Sequence, residues 1–287
     1  MTIRPQQPRE LSADRTKRGS APGHVWDYQA VRNWRATLWE LGGDMLSEPV
    51  KEAFLAEPPE WVVGDDLSWL DRAVKRGIGR HLDTKAEVAD RLRDTFTHLR
   101  ACHATSTADV SAFYAQGLLP LDVDAANDQA RRIFLGGEFP ELGEEDLERA
   151  IAAVGRDVRE GRVWFEANEK SLVEDCGHYL LYGGEYLTGV VASLPRHRDY
   201  RQVLKGRGRP TMLICDVPLA DIHPATFLEF VGGALEILFQ DLLDWRESQF
   251  IPEDRGAGFC IRKPLAPEQI IGHYHPVRVR DPLIGGW

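Results

Sequence analysis

Pro210-Thr211-Met212-Leu213-Ile214-Cys215-Asp216-Val217-Pro218 is a short apolar run closed by a proline at each end. Its length suits a buried strand, and the prolines bound it on both sides. Just beyond it, Pro224–Trp245 repeats apolar residues at helical spacing, with Phe227, Phe230, Val231, Ala234, Leu238 and Leu242 on one face. A strand followed by a long amphipathic helix is therefore expected here. Upstream, Val163-Trp164-Phe165 reads as a second short strand, and downstream Gly258–Arg262 and Gln269–His273 read as two more. Leu180–Tyr186 is open between helix and strand, because Gly183-Gly184 interrupts it.

Residues 121–160 have the pattern of a helical insertion, in which Leu147, Ile151, Val154 and Val158 form one stripe. A helix over Ala108–Gln116 is stopped by Gly117, which suits a C-terminal cap. Asp83-Thr84 opens an earlier helix, with Glu87 placed as in a capping box and Val88, Leu92, Phe96 and Leu99 at helical spacing. Residues 25–82 read as short helices broken at Gly42-Gly43, Pro58-Pro59 and Gly64, and they hold Trp26, Trp34, Trp39, Trp61 and Trp69. Strands and helices follow one another without regular βαβ alternation. The expected class is α+β, a split mixed or antiparallel sheet with an N-terminal helical layer and a helical insertion.

The 287 residues are 43% hydrophobic and 28% charged, with a net charge of −10. This composition excludes collagen-like, wholly disordered and membrane-spanning classes, and it lacks the basic footprint of a general nucleic-acid binder. Cys102, Cys176, Cys215 and Cys260 form no C-x-x-C pair, so they read as core residues of a protein in a reducing cytoplasm. Residues 1–24 are polar and proline-containing with no apolar core of a leader, and a disordered tail is expected. The resulting division is a tail over 1–24, a Trp-rich helical region over 25–96 and a main domain over 97–287.

The motifs of P-loop NTPases, Rossmann enzymes, α/β-hydrolases and zincins are absent from the sequence. The stretch that carries chemistry is Cys102-His103-Ala104-Thr105-Ser106. A histidine at a strand end, with hydroxyls two and three residues on, can hold a ribose or phosphate by hydrogen bonds. The same residues also suit a strand end that caps the next helix. His273 and His275 fall on one side of a strand, but no third ligand stands at helpful spacing for a metal. Asp83-Thr84-Lys85 is the only D-x-K, and it reads as a helix cap rather than a nuclease triplet.

His103-x-Thr105, a helix, then Gly117-Leu118 resembles the opening of ADP-ribosyltransferase folds. Gly161-Arg162-Val163-Trp164-Phe165 with Ser171 resembles that superfamily's second motif, Met212–Leu219 its next central strand, and Phe259-Cys260-Ile261-Arg262 its late strand. The likeness spans roughly residues 97–280 and suggests a divergent bacterial-type member. It implies NAD as substrate, with His103 on the adenosine ribose and Ala104 and Thr105 beside it. It sets Trp164, with Phe165, where a stacking aromatic usually stands, and makes Ser171, Tyr179 and Tyr182 further NAD-binding residues. It also implies a carboxylate that stabilises an oxocarbenium-like ribose.

The start of the late strand holds Gly256-Ala257-Gly258 in place of an acid. Glu253, Asp254 and Glu268 are the nearest carboxylates, and Glu185 between two tyrosines is a further candidate. The expected activity is ADP-ribosyl transfer to an unknown macromolecular acceptor, or to water as in an NAD glycohydrolase, and a toxin or phage-defence effector would suit it. A catalytically silent NAD-binding module is the alternative. An interaction protein working through Trp34, Trp39 and Trp69 is a third.

Overall fold

The computed structural model describes residues 6–156, 159–244 and 257–285. In chain order the elements are β1 (Val25–Trp26), α1 (Val31–Gly42), α2 (Glu48–Ala56), α3 (Ser68–Ile78), α4 (Thr84–Thr95) and β2 (His98–Thr107). Next come α5 (Ser111–Gln116), α6 (Val123–Phe134), α7 (Glu144–Val154), β3 (Val163–Glu166), α8 (Glu169–Glu174) and α9 (His178–Tyr182). They are followed by α10 (Glu185–Ser193), α11 (Arg201–Lys205), β4 (Arg209–Pro218), α12 (Pro224–Asp244), β5 (Gly258–Ile261) and β6 (Ile270–Tyr274). Hydrogen bonds order the sheet β5-β3-β2-β4-β6, and β1 joins β2. The β2–β3 and β4–β6 pairs are antiparallel and β1–β2 is parallel, so the protein is α+β. No helix among the described residues is long and apolar enough to cross a membrane.

The chain divides into two compact units, one of residues 1–19, 101–216 and 260–287, the other of residues 20–100 and 217–259. Besides the break between Arg100 and Ala101, the division groups α12 with the Trp-rich helices. In that unit the Trp26 ring lies 6.0 Å from Phe227 and 6.4 Å from Phe230, and Phe239 lies 5.2 Å from Trp69 and 4.9 Å from Phe54. Trp26, Trp34 and Trp69 are buried, and Trp39 is half-buried under the Lys51 ammonium at 4.4 Å. The aromatic residues expected as an exposed partner surface therefore form a core. Gly232 of α12 meets the Gly64 carbonyl so closely that a Cβ would fall 2.1 Å from the oxygen. Buried Glu236, one turn on, accepts the Gly64 N–H at 2.6 Å.

In the other unit, sheet residues Cys102, Ala104, Met212, Ile214 and Tyr274 share a core with helices α6 to α11. The helical insertion is present as α6 and α7, and Val158 of its stripe lies outside the described residues. Gly183 and Gly184 do not split a strand. They join α9 to α10 with φ of 85° and 149°, a geometry glycine supplies without strain. Residues 6–19 are not a free tail, since Glu10 bridges to His273 and Leu11 packs against the core. Helix α4 is capped by Asp83, which accepts the Ala86 N–H at 3.0 Å, and it ends at Thr95, so Leu99 belongs to β2.

Candidate functional site

His103 lies within the ten-residue strand β2, not at its end. The register sets Cys102 opposite Glu166. Alternation then puts His103 and Thr105 on one face with Phe165, and Cys102 and Ala104 on the other with Trp164. The ring contact of His103 with Phe165, at 6.0 Å between centroids, agrees with this assignment.

The Nδ1 atom of His103 lies 2.8 Å from the Trp164 carbonyl oxygen. A carbonyl only accepts, so Nδ1 carries the proton and donates it, and in the neutral ring Nε2 keeps a lone pair. Burial lowers the pKa of His103, and the bond to Trp164 opposes that shift without cancelling it. The neutral imidazole is thus an oriented acceptor for a hydroxyl. Thr105, buried on the same face, lies two residues along the strand.

Trp164 is 45% exposed, while Phe165 beside His103 is buried. The ring that can stack on a ligand is therefore on the opposite face from the imidazole. Ser171 is buried in the first turn of α8, where Asn168 caps the helix by accepting the Lys170 N–H at 3.0 Å and the Ser171 N–H at 3.4 Å. Tyr179 is half-buried, and burial together with the nearby Glu185 charge pushes its hydroxyl up to about 12. Tyr182 is withdrawn from any surface site, because it is buried in the helical core and donates its hydroxyl to buried Asp281.

The carboxylates separate sharply. Glu253 and Asp254 lie outside the described residues. Glu268 is exposed on the short turn Pro267–Gln269 and has no hydrogen bond or ion pair with His103. Glu185, at the start of α10, pairs with Arg159 at 2.8 Å and interacts with Tyr179. Its charge also acts on His178 and, with that of Glu166, on the Cys176 thiol. Glu166 was missed in the sequence because its only signal is strand register. It stands opposite Cys102 and accepts the Asn168 N–H at 2.8 Å.

His273 and His275 are 5.2 Å apart, ring to ring, and each has its own partner. His273 shares a 3.0 Å hydrogen bond with buried Tyr114, and His275 bonds to the Pro210 carbonyl at 3.0 Å. Gly117, with φ of 79°, lies against the Leu265 carbonyl, and Leu118 bridges to Leu265. The chain matches no family model, no curated protein and no solved structure.

Proposed function

We propose that the unit carrying β2 and β3 is an NAD-dependent ADP-ribosyltransferase of the ADP-ribosyltransferase-like fold. It would cleave the bond between nicotinamide and ribose and pass ADP-ribose to a macromolecule. The observation that supports this reading best is the His103 to Trp164 hydrogen bond, which presents Nε2 as a neutral acceptor for a ribose hydroxyl. The exposed Trp164 indole adds an aromatic surface on the adjoining strand. Glu185 is the carboxylate we favour, since it lies beside Tyr179.

A second reading, an NAD-binding module without turnover, is favoured by one specific feature. His103 and Trp164 stand on opposite faces of the strand pair, and the described residues give His103 no carboxylate partner.

The test is mass spectrometry of the purified protein with NAD, following free nicotinamide and ADP-ribose adducts. Nicotinamide release by the wild type that falls at least about tenfold in His103→Ala, as loss of one hydrogen bond to substrate predicts, supports the transferase. Glu185→Gln should then abolish release while NAD still binds. Binding without release supports the silent module. Neither binding nor release overturns both.

A further inference from the structure

Residues 6–19 hold to the sheet at two points separated by an exposed turn. At the first, Leu11 N–H donates to the His273 carbonyl at 2.6 Å and the Arg9 carbonyl accepts the His273 N–H at 2.9 Å. The segment thus pairs with the edge strand β6 through one parallel bridge, Glu10 opposite His273. Gly272 makes room for it, since a Cβ there would lie 2.5 Å from the Leu11 side chain. At the second point the Arg18 Nη2 reaches both Glu169 oxygens, at 2.9 and 2.6 Å. The guanidinium lies 5.1 Å over the Tyr274 ring, and the Tyr274 hydroxyl donates to the same carboxylate. The two charged side chains are only 9% and 13% exposed. Between the anchors, Asp14 caps the short turn Arg15–Lys17.

The walls of the second anchor come from residues remote in sequence from Arg18. Glu169 is held by Tyr274, and a carboxylate only 13% exposed is disfavoured when left without a cation. The socket therefore demands a guanidinium, whose flat cation suits both the carboxylate and the aromatic face. Arg18 fills it imperfectly. Both bonds to Glu169 use one nitrogen, and the buried Nε has no partner. A side-on fork would satisfy Nε as well.

We propose that β6 and the Glu169–Tyr274 socket form a binding site for a peptide segment that carries an apolar residue and, seven positions on and beyond a turn, an arginine. Residues 6–19 occupy the site in cis through Leu11 and Arg18, and a segment of the same chemistry displaces them in trans. This inference is independent of the NAD reading.

The probe is a fluorescent peptide of residues 6–19, titrated against the full chain. It should bind the Arg18→Ala chain at least about tenfold more tightly than the wild type, whose socket is filled. The gain should vanish with Glu169→Gln added, or when the peptide itself carries Arg18→Ala. In hydrogen exchange, the Leu11 and His273 amides should exchange at least about tenfold faster in the Arg18→Ala chain, and Arg18→Lys should restore only part of the protection. Tyr274→Phe removes one hydroxyl and should also weaken the peptide, which keeps the test open if Glu169→Gln fails to fold. Unchanged exchange at Leu11 in Arg18→Ala, or peptide binding indifferent to Glu169→Gln and Tyr274→Phe, would overturn the proposal.

Discussion

Burial sets the protonation of three histidines. His103, His178 and His273 each have a pKa below the ordinary value of 6.5, with desolvation as the leading cause. The groups around His273 are His275 and Arg209, which push the same way, Glu10, which opposes them, and the Tyr114 hydroxyl. A histidine that stays neutral in the fold adds nothing above the unfolded value, where both states are neutral. As pH falls below 6.5 the unfolded chain takes up a proton that the fold refuses, so stability is lost until the lowered folded pKa is reached. Melting temperature should therefore hold steady from about pH 8 to about pH 7 and fall toward about pH 5. The slope of that fall should be shallower in His273→Gln. A second residue-scale expectation concerns Gly117, whose φ is 79° and whose added Cβ would lie 2.0 Å from the Leu265 carbonyl. Gly117→Ala should cost about 2 kcal/mol or more in urea unfolding, from left-handed strain and displaced backbone together.

Two contrasts test the elements. Trp26 is buried among aromatic rings that include Phe227 of α12, whereas Trp61 is 73% exposed. Trp26→Ala should cost about 3–5 kcal/mol, and Trp61→Ala under about 0.5 kcal/mol, by equilibrium denaturation. At α8, Asn168→Ala removes the acceptor for the Lys170 and Ser171 N–H groups and should cost about 1 kcal/mol. Many elements were legible locally: the strand bounded by Pro210 and Pro218, helix α12, and the stop at Gly117 all follow from nearby residues. The end of α4 was not. Leu92, Phe96 and Leu99 keep a helical spacing, but Leu99 faces into a strand next to Trp26. Short apolar patterns fit both periods, and strand pairing with a distant segment decides between them.

At the scale of the molecule, the four cysteines are free, with Cys102 and Cys215 buried. A thiol reagent should label these two only after denaturation, and Cys176, half-buried with its thiol pKa raised by burial, should react slowly in the fold. The chain's division into units also exists only at this scale. Residues 217–244 return to the Trp-rich helices and residues 6–19 return to the sheet, so each unit is built from separated pieces of sequence.

The sequence by itself determined the α+β class, the strand character of 211–217 and 163–165, and the long helix after Pro224. Each depends on propensity, period and caps that act over a few residues. The tertiary structure decided that Trp164 faces away from His103, that Tyr182 is spent on Asp281, that Glu185 meets Tyr179, and that a polar N-terminal segment is anchored by Arg18. Glu185 meets Tyr179 through the turn at Gly183-Gly184, six residues apart, whereas the other outcomes depend on strand register and on partners tens to hundreds of residues away, and no local pattern encodes which distant group will satisfy a buried charge.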